Sequence, residues 1–446
     1  MRAKSILSLC AALIAVPAGA ETGEPKLDFH GAGWLQGGRV EDSYALPGDG
    51  NAYDKNWVGQ SGGLLTIHTA IDDHWDASLG LGTVLVQLAR GSRLQANKWY
   101  PFWVPWVDEA RITYATPFGG GNEFKLNLGS FHYGYNSDIK NFGQYLMYGY
   151  VYPGTIVTSL TGPLGVNQNI TGAMGTFKFG ALTNDLIAKI ETDDKPLYDI
   201  SLADVVTYKL GSILEVGAGV NLYRLLPANS KLTSPGKDCS ESTLGPYASR
   251  GQPSPCFILD TTAVDGAGVP TRIDTITGSL SGIKVMGRLR VDPKAVFGYG
   301  EGSPFGKDDF VFYTEVAVIG LKDYPQFYDK IAQRIPIMFG FNLPGFNRFN
   351  WSVEFEYYGS RNSGDNLAAQ NGSWIPPIDD KRIDTKRDDF KYSVNVSKVF
   401  GGHLALLGQI ANDNLRLGGN HDDATGKQAL RTPSDWYWNT KLAYFF

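Results

Sequence analysis

The sequence is poor in the residues that most site chemistry needs. Only three of its 446 residues are cysteine, and one of them, Cys10, lies in the first twenty positions. The six histidines (His30, His68, His74, His132, His403 and His421) show no metal-ligand spacing such as H-E-x-x-H. Charged residues are 19% of the chain, with a net charge of −5 and no dense Lys/Arg cluster, which speaks against nucleic-acid binding. Short motifs fail on inspection. Gly278-Ser279-Leu280-Ser281-Gly282 has Leu at the centre of what would be a nucleophile elbow. Gly298-Tyr299-Gly300-Glu301-Gly302 lacks the last Gly of a dinucleotide loop and the Lys of a P-loop. Asn420-His421-Asp422-Asp423 is not a full calcium loop. The expectation is no catalytic residue, no metal and no cofactor. Past residue 20 there is also no run of eighteen apolar residues, so no segment can cross a bilayer as a helix.

What the chain has is glycine (54 residues) and aromatics (13%), a composition that suits β structure better than helix. Residues 1–20 read as a secretory leader: Arg2 and Lys4, an apolar run from Ile6 to Val16, then Ala18-Gly19-Ala20 as the cleavage site. Leu9 before Cys10 is too large for a lipoprotein cleavage site. Removing Arg2 and Lys4 takes the charge from −5 to −7. A chain that enters a membrane without helices must be a closed barrel, because only closure satisfies every backbone N–H and C=O in lipid.

Ten-residue segments with one apolar parity recur. Sixteen are expected, near 26–39, 62–72, 75–90, 107–117, 123–135, 169–180, 182–193, 197–209, 213–226, 275–291, 309–321, 335–343, 349–361, 388–400, 403–417 and 434–446. In 349–361, Trp351, Val353, Phe355 and Tyr357 alternate with Ser352, Glu354, Glu356 and Tyr358. Asp204 falls on the apolar parity of its strand, and 335–343 is short and contains Pro336. The connections alternate between long (40–61, 91–106, 136–168, 227–274, 322–334, 362–387, 418–433) and tight (73–74, 118–122, 181, 210–212, 344–348, 401–402). The exceptions are 194–196 and 292–308. This sorting is the outer-membrane pattern of external loops and periplasmic turns.

The last strand carries a resemblance. Phe446, Tyr444, Leu442, Thr440, Trp438 and Trp436 share one side of it; Phe445, Ala443, Lys441, Asn439, Tyr437 and Asp435 share the other. This resembles the closing strand of bacterial outer-membrane β-barrels, which end in Phe with aromatic or aliphatic residues at alternate positions before it. The resemblance is to porins in architecture, over residues 21–446. It implies an all-β, transmembrane antiparallel barrel of about sixteen strands in the outer membrane of a Gram-negative-type bacterium. It also implies outer-membrane lipid around the barrel, Phe446 as the signal to the barrel-assembly machinery, and passive diffusion of small hydrophilic solutes. The contrasting reading is a non-conducting adhesin or polysaccharide-binding scaffold that works through its long loops.

Inward parity supplies the candidate wall charges: Arg111, Lys125, Lys284, Arg288, Arg290, Glu315, Glu354, Glu356, Lys391 and Lys441, with Glu109 beside them. Large porins fold the third external loop into the barrel. The third external connection here, 136–168, therefore becomes the candidate constriction, with Asp138, Lys140, Tyr145, Tyr148 and Tyr150 facing basic residues of the opposite wall. The aromatic run from Trp99 to Trp106 is expected as a membrane-interface girdle rather than a sugar platform. Cys239 and Cys256 fall in one long external loop, and an even pair in an exported chain suggests a disulfide. Porins of this size are often homotrimers, and Gly31, Gly33, Gly80 and Gly82 are the candidate flat contact.

Overall fold

A computed structural model of the chain describes residues 27–42, 55, 57–88, 102–147, 168–192, 197–233, 256–259, 274–277, 281–297, 308–321, 331–343, 349–358, 390–412 and 435–446. Sixteen antiparallel strands close into one barrel. In chain order they are β1 (Leu27–Asp42), β2 (Trp57–Ala70), β3 (Trp75–Leu88), β4 (Phe102–Pro117), β5 (Glu123–Tyr133), β6 (Gln168–Phe179), β7 (Leu182–Ile190), β8 (Ile200–Leu210) and β9 (Leu214–Leu226). After a separate hairpin of β10 (Cys256–Leu259) and β11 (Asp274–Thr277), the barrel resumes with β12 (Gly282–Val291), β13 (Phe312–Ile319), β14 (Ile337–Leu343) and β15 (Asn350–Tyr357). It ends with β16 (Phe390–Phe400), β17 (Leu404–Ala411) and β18 (Trp436–Phe445). Neighbours in sequence pair round the ring, β9 pairs with β12, and β18 pairs with β1 to close it.

The count matches the sixteen segments expected, but three boundaries move for physical reasons. The segment 275–291 is two strands: β11 pairs only with β10, and β12 begins at Gly282. β4 starts at Phe102, which draws part of the aromatic run into the sheet. β14 begins one residue after Pro336, whose carbonyl still accepts the Ala317 N–H at 3.2 Å; proline has no N–H to give a ladder and so sits at the strand's entry.

The seam and the aromatic belts fix which face is which. The seam runs from Ala32↔Phe445 to Asp42↔Trp436 and is extended by reciprocal bonds between Gly31 and Phe446, at 2.9 and 3.0 Å. The Phe446 ring lies where a Cβ on Gly31 would be, so glycine is the residue that admits it. At the end where connections are short, outward aromatics cluster: Trp75 with Tyr114 (4.9 Å), Phe124 with Phe177 (4.9 Å) and Phe118 with Phe179 (5.5 Å). At the opposite end Trp57 meets Trp438 at 5.5 Å. Between the two belts the outward side chains are exposed aliphatics such as Leu35, Leu65, Leu81, Leu128, Leu186, Leu289, Val316 and Ile410. An apolar band between aromatic girdles is the surface a bilayer requires.

The turns at the girdled end are built from local chemistry. Asp72 accepts N–H bonds from His74 (2.7 Å) and Trp75 (2.8 Å), which closes the β2–β3 turn. These bonds hold its carboxyl below the usual carboxylate range. The β16–β17 turn uses Gly401 and Gly402, both at positive φ. At the opposite end β8 and β9 carry a bulge between Ile200 and Leu202. Arg224 there takes φ 50°, so Tyr223 and Arg224 are both buried although they are adjacent.

Several expectations about facing are corrected. Gly80 and Gly82 face the interior, beside Glu109 and under the Trp106 indole, so they form no outer contact. Trp106 also points inward: its ring lies 6.4 Å from that of Trp34 and it donates to Asp108 at 3.1 Å, so it is not part of a girdle. Asp204 does lie on the outward face, as its parity indicates, because its neighbours Ala203 and Val205 pair with the inward Asn221 and Gly219. Cys239, the leader, residues 148–167, and Tyr148 and Tyr150 with them, lie outside the described residues.

Candidate functional site

The chain leaving β5 does not continue away from the barrel. Residues Asn136 to Met147 run inside it, and Ile139, Asn141, Phe142, Gln144, Tyr145 and Leu146 are all buried there. Two glutamates on the wall hold the segment by its backbone. Glu354 on β15 accepts from the N–H groups of Lys140, Asn141 (2.6 Å) and Phe142 (3.0 Å), and from the Tyr313 hydroxyl (2.9 Å). Glu315 on β13 accepts from the N–H groups of Gln144 (2.9 Å) and Tyr145 (2.8 Å), and from the Tyr135 hydroxyl (2.5 Å). Five successive donors of one segment thus converge on two carboxylates, leaving out only Gly143. Bonds to a charged acceptor stabilise by roughly 1.5–3 kcal/mol each.

Gly143 is what lets one segment serve two acceptors. Its φ is 105° and that of Gln144 is 59°, so the backbone turns between the Glu354 and Glu315 groups. A Cβ at Gly143 would lie 3.1 Å from the Glu315 Oε2. Side chains add further attachments. The Tyr145 hydroxyl donates to Glu356 at 2.7 Å, and burial together with that carboxylate pushes its pKa well above the usual phenol range. Asn221 on β9 donates to the Leu146 carbonyl at 2.9 Å, and Arg290 on β12 bonds Asp138 at 2.8 Å. Ile139, Phe142, Leu146 and Met147 belong to one apolar cluster with wall residues of β5–β8 and β12–β14, among them Ile170, Met174, Val205, Met286 and Met338. The segment therefore has a small hydrophobic core of its own inside the barrel.

All ten wall candidates from the sequence face inward, but they do different things. Glu315, Glu354 and Glu356 lie beneath the segment and are buried. Lys391 pairs with Glu356 at 3.6 Å. Lys284 is buried with its Nζ 4.9 Å from the Tyr223 ring, and the Lys441 Nζ lies 5.7 Å from the Trp34 ring. Arg288 bonds Glu215 (2.6 Å) and Thr207 (3.0 Å). Lys284, Arg288 and Arg290 on β12 do not lie across the barrel from the loop: β12 neighbours β13, and Arg290 bonds the loop itself. The wall half a turn round the ring from β13 and β15 is β3–β5. It carries Arg111, paired with Glu109 at 3.6 Å, and the half-buried Lys125. The inward charges that keep contact with solvent include Arg111 (27% exposed), Arg290 (21%) and Glu215 (17%).

Sequence reasoning missed Tyr135, Tyr313 and Asn221. Asn221 carries the polar parity of β9, which is a usable signal. The two tyrosines read as aromatics and give none, since their hydroxyl partners lie 180 and 41 residues away. Among the described residues no group of three or more His, Cys, Asp or Glu side chains could hold a metal ion.

No protein-family model matches the chain, and no curated protein matches it either. Solved structures do. A triple mutant of the Rhodopseudomonas blastica porin aligns over 94% of this chain and all of its own, with 9% identity and a TM-score of 0.43. A second mutant of the same porin gives the same coverage and identity, with a TM-score of 0.42. The chain is a closed sixteen-stranded antiparallel barrel, similar to these porins.

Proposed function

We propose that the protein is an outer-membrane channel for passive diffusion of small hydrophilic solutes, narrowed by the segment Asn136–Met147. The observation that carries this is the inward set of charges, including Arg111, Arg290, Glu215 and Glu109, that keep access to solvent inside a barrel whose outside is apolar. Ionised side chains in a lumen need water around them. A sixteen-stranded barrel is too wide for wall side chains alone to fill. On this reading the clamped segment fixes the aperture, and Arg111 with Lys125 lines the free wall across from it. Charged groups on the wall then bias which solutes enter. No covalent step is needed.

The remaining parts follow the same reading. Residues 1–20 direct export and are removed after Ala20. The short connections face the periplasm and the long ones the exterior. Phe446, fixed at the seam against Gly31, is the group the assembly machinery would recognise. Cys239 and Cys256 form a disulfide in an external loop. The contrasting adhesin reading rests on the connections 227–274 and 362–387, of which β10 and the start of β11 are the only strands described.

Liposome swelling tests the channel reading. Purified protein in vesicles is challenged with sugars of increasing size. Swelling with small sugars and a sharp size cut-off is expected; vesicles that stay inert while the protein remains a folded, detergent-soluble barrel contradict it.

A further inference from the structure

The inner wall of β1–β4 carries two indoles that belong to a cluster separate from that of the inner segment. Trp106 on β4 pairs with Gly82 on β3, and Trp34 on β1 pairs with Gly62 on β2. A Cβ on Gly82 would fall equally close to Cε2 and Cζ2 of Trp106, with Cδ2 next at 2.9 Å, a position over the face of the ring. The Trp106 ring therefore lies flat on the wall. Its other face is turned to the lumen, and the residue is half-buried. Its tilt is fixed by the bond from its Nε1 to Asp108 at 3.1 Å and by the Trp34 ring, 6.4 Å away at 58°. The Trp34 indole N–H is buried and has no acceptor among the described residues.

Strict alternation would put Asp108 and Glu109 on opposite faces. β4 carries a bulge at this point: Gly80 pairs with Glu109 and Leu81 with Val107, so Asp108 is an extra residue. Both acidic side chains end up against Gly80, whose Cβ would lie 3.1 Å from the Glu109 Cγ and 3.2 Å from the Asp108 Cβ. Bulges re-aim side chains in this way. Gly80 and Gly82 are two residues apart, about 7 Å along a strand, so the ring and the carboxylates border one patch. His132 holds the Asp108 Oδ2 at 2.9 Å. Glu109 accepts from the Ser78 hydroxyl and pairs with Arg111 at 3.6 Å. Arg111 is 27% exposed, and its N–H groups have no hydrogen-bond acceptor among the described residues.

We propose that Trp106, Asp108, Glu109 and Arg111 form a saccharide subsite on this wall. The proposal names the solute class of the channel and rests on that reading for access. A pyranose has a flat C–H face and a rim of hydroxyls that both donate and accept. The open indole face matches the first. The guanidinium donors and carboxylate acceptors beside the ring match the second. Small-molecule sites combine an apolar surface with a few placed polar groups in the same way. Two carboxylates against one guanidinium disfavour an anionic solute.

The test is calorimetric titration of the full-length, detergent-folded barrel with maltotriose and with cellotriose. Sorbitol, hydroxyl-rich but without a ring face, is the comparison solute. Saturable binding of a trisaccharide and none of sorbitol is expected. Trp106→Ala should weaken it about tenfold or more. Trp106→Phe, which keeps a ring, should restore most of the affinity, and Trp351→Ala on the outer wall should change nothing. Arg111→Met, which removes the donors and leaves the ring, should also weaken binding, and it carries the test if Trp106→Ala does not fold. The proposal is overturned if neither trisaccharide saturates, if sorbitol binds equally, or if a folded Trp106→Ala or Arg111→Met barrel binds like the parent. A conducting barrel without saturable binding removes the subsite and keeps the channel. Saturable, Trp106-dependent binding by a barrel that stays silent in a planar bilayer keeps the subsite and removes the channel.

Discussion

Glu354 uses both carboxylate oxygens on four donors, three of them consecutive backbone N–H groups of Lys140, Asn141 and Phe142. Replacing it with alanine leaves those donors buried without an acceptor, a loss of about 3 kcal/mol or more in holding the segment. Glu354→Ala should give frequent current fluctuations and a raised mean conductance in single-channel traces; a trace identical to the parent's counts against the clamp. Gly143→Ala should also loosen the segment, since φ 105° strains any side chain by about 1–3 kcal/mol. Its urea midpoint should fall while Gly37→Ala, which meets open space, leaves the midpoint in place. At the β2–β3 turn the sign of the pH effect is fixed by direction. The pKa of Asp72 is lowered in the fold by the His74 and Trp75 N–H groups. Its contribution is therefore complete above the ordinary aspartate pKa of about 3.9 and fades as pH falls through the lowered value. An NMR titration placing Asp72 at or above the ordinary value would refute this. At this scale the sequence was half legible. Alternation places Glu354 and Glu356 inside, since each is flanked by Val353, Phe355 and Tyr357 on the other face. That Glu354 meets Lys140 to Phe142 depends on ring closure across more than two hundred residues, which no local pattern encodes.

At the scale of elements, the strand count is readable because an apolar outer face and a polar inner face impose a period of two on each strand. The readable pattern breaks where an element departs from that period. β11 escapes because its four residues, Asp274–Thr277, lie just ahead of β12 in sequence yet pair with β10 instead. Arg224 escapes because the bulge between β8 and β9 turns it inward out of phase. There it is fully buried, bonding Asp199 at 3.0 Å, while Asp199 also accepts from Ala228 N–H and the Thr233 hydroxyl, each at 2.8 Å. This ties the chain after β9 to the β7–β8 connection. Removing one member of a buried, hydrogen-bonded pair costs about 3–5 kcal/mol. Arg224→Ala should accordingly lower the unfolding midpoint in urea and open residues 227–233 to protease; protection unchanged from the parent would show that the pair does not hold this connection.

For the whole molecule, closure between β1 and β18 converts sixteen strands into one wall, and the segment Asn136–Met147 packs inside it. The apolar outside fits lipid, and the solvated charges inside fit an aqueous passage. On the proposed reading, ions and small solutes cross through the barrel. The most direct test is single-channel conductance of the purified, refolded protein in a planar bilayer. Steady steps of wide-pore size are predicted, with a reversal potential in a salt gradient that shifts toward cations when Arg111 and Lys125 are both replaced by alanine. A folded, heat-modifiable barrel that inserts and stays silent would contradict the account.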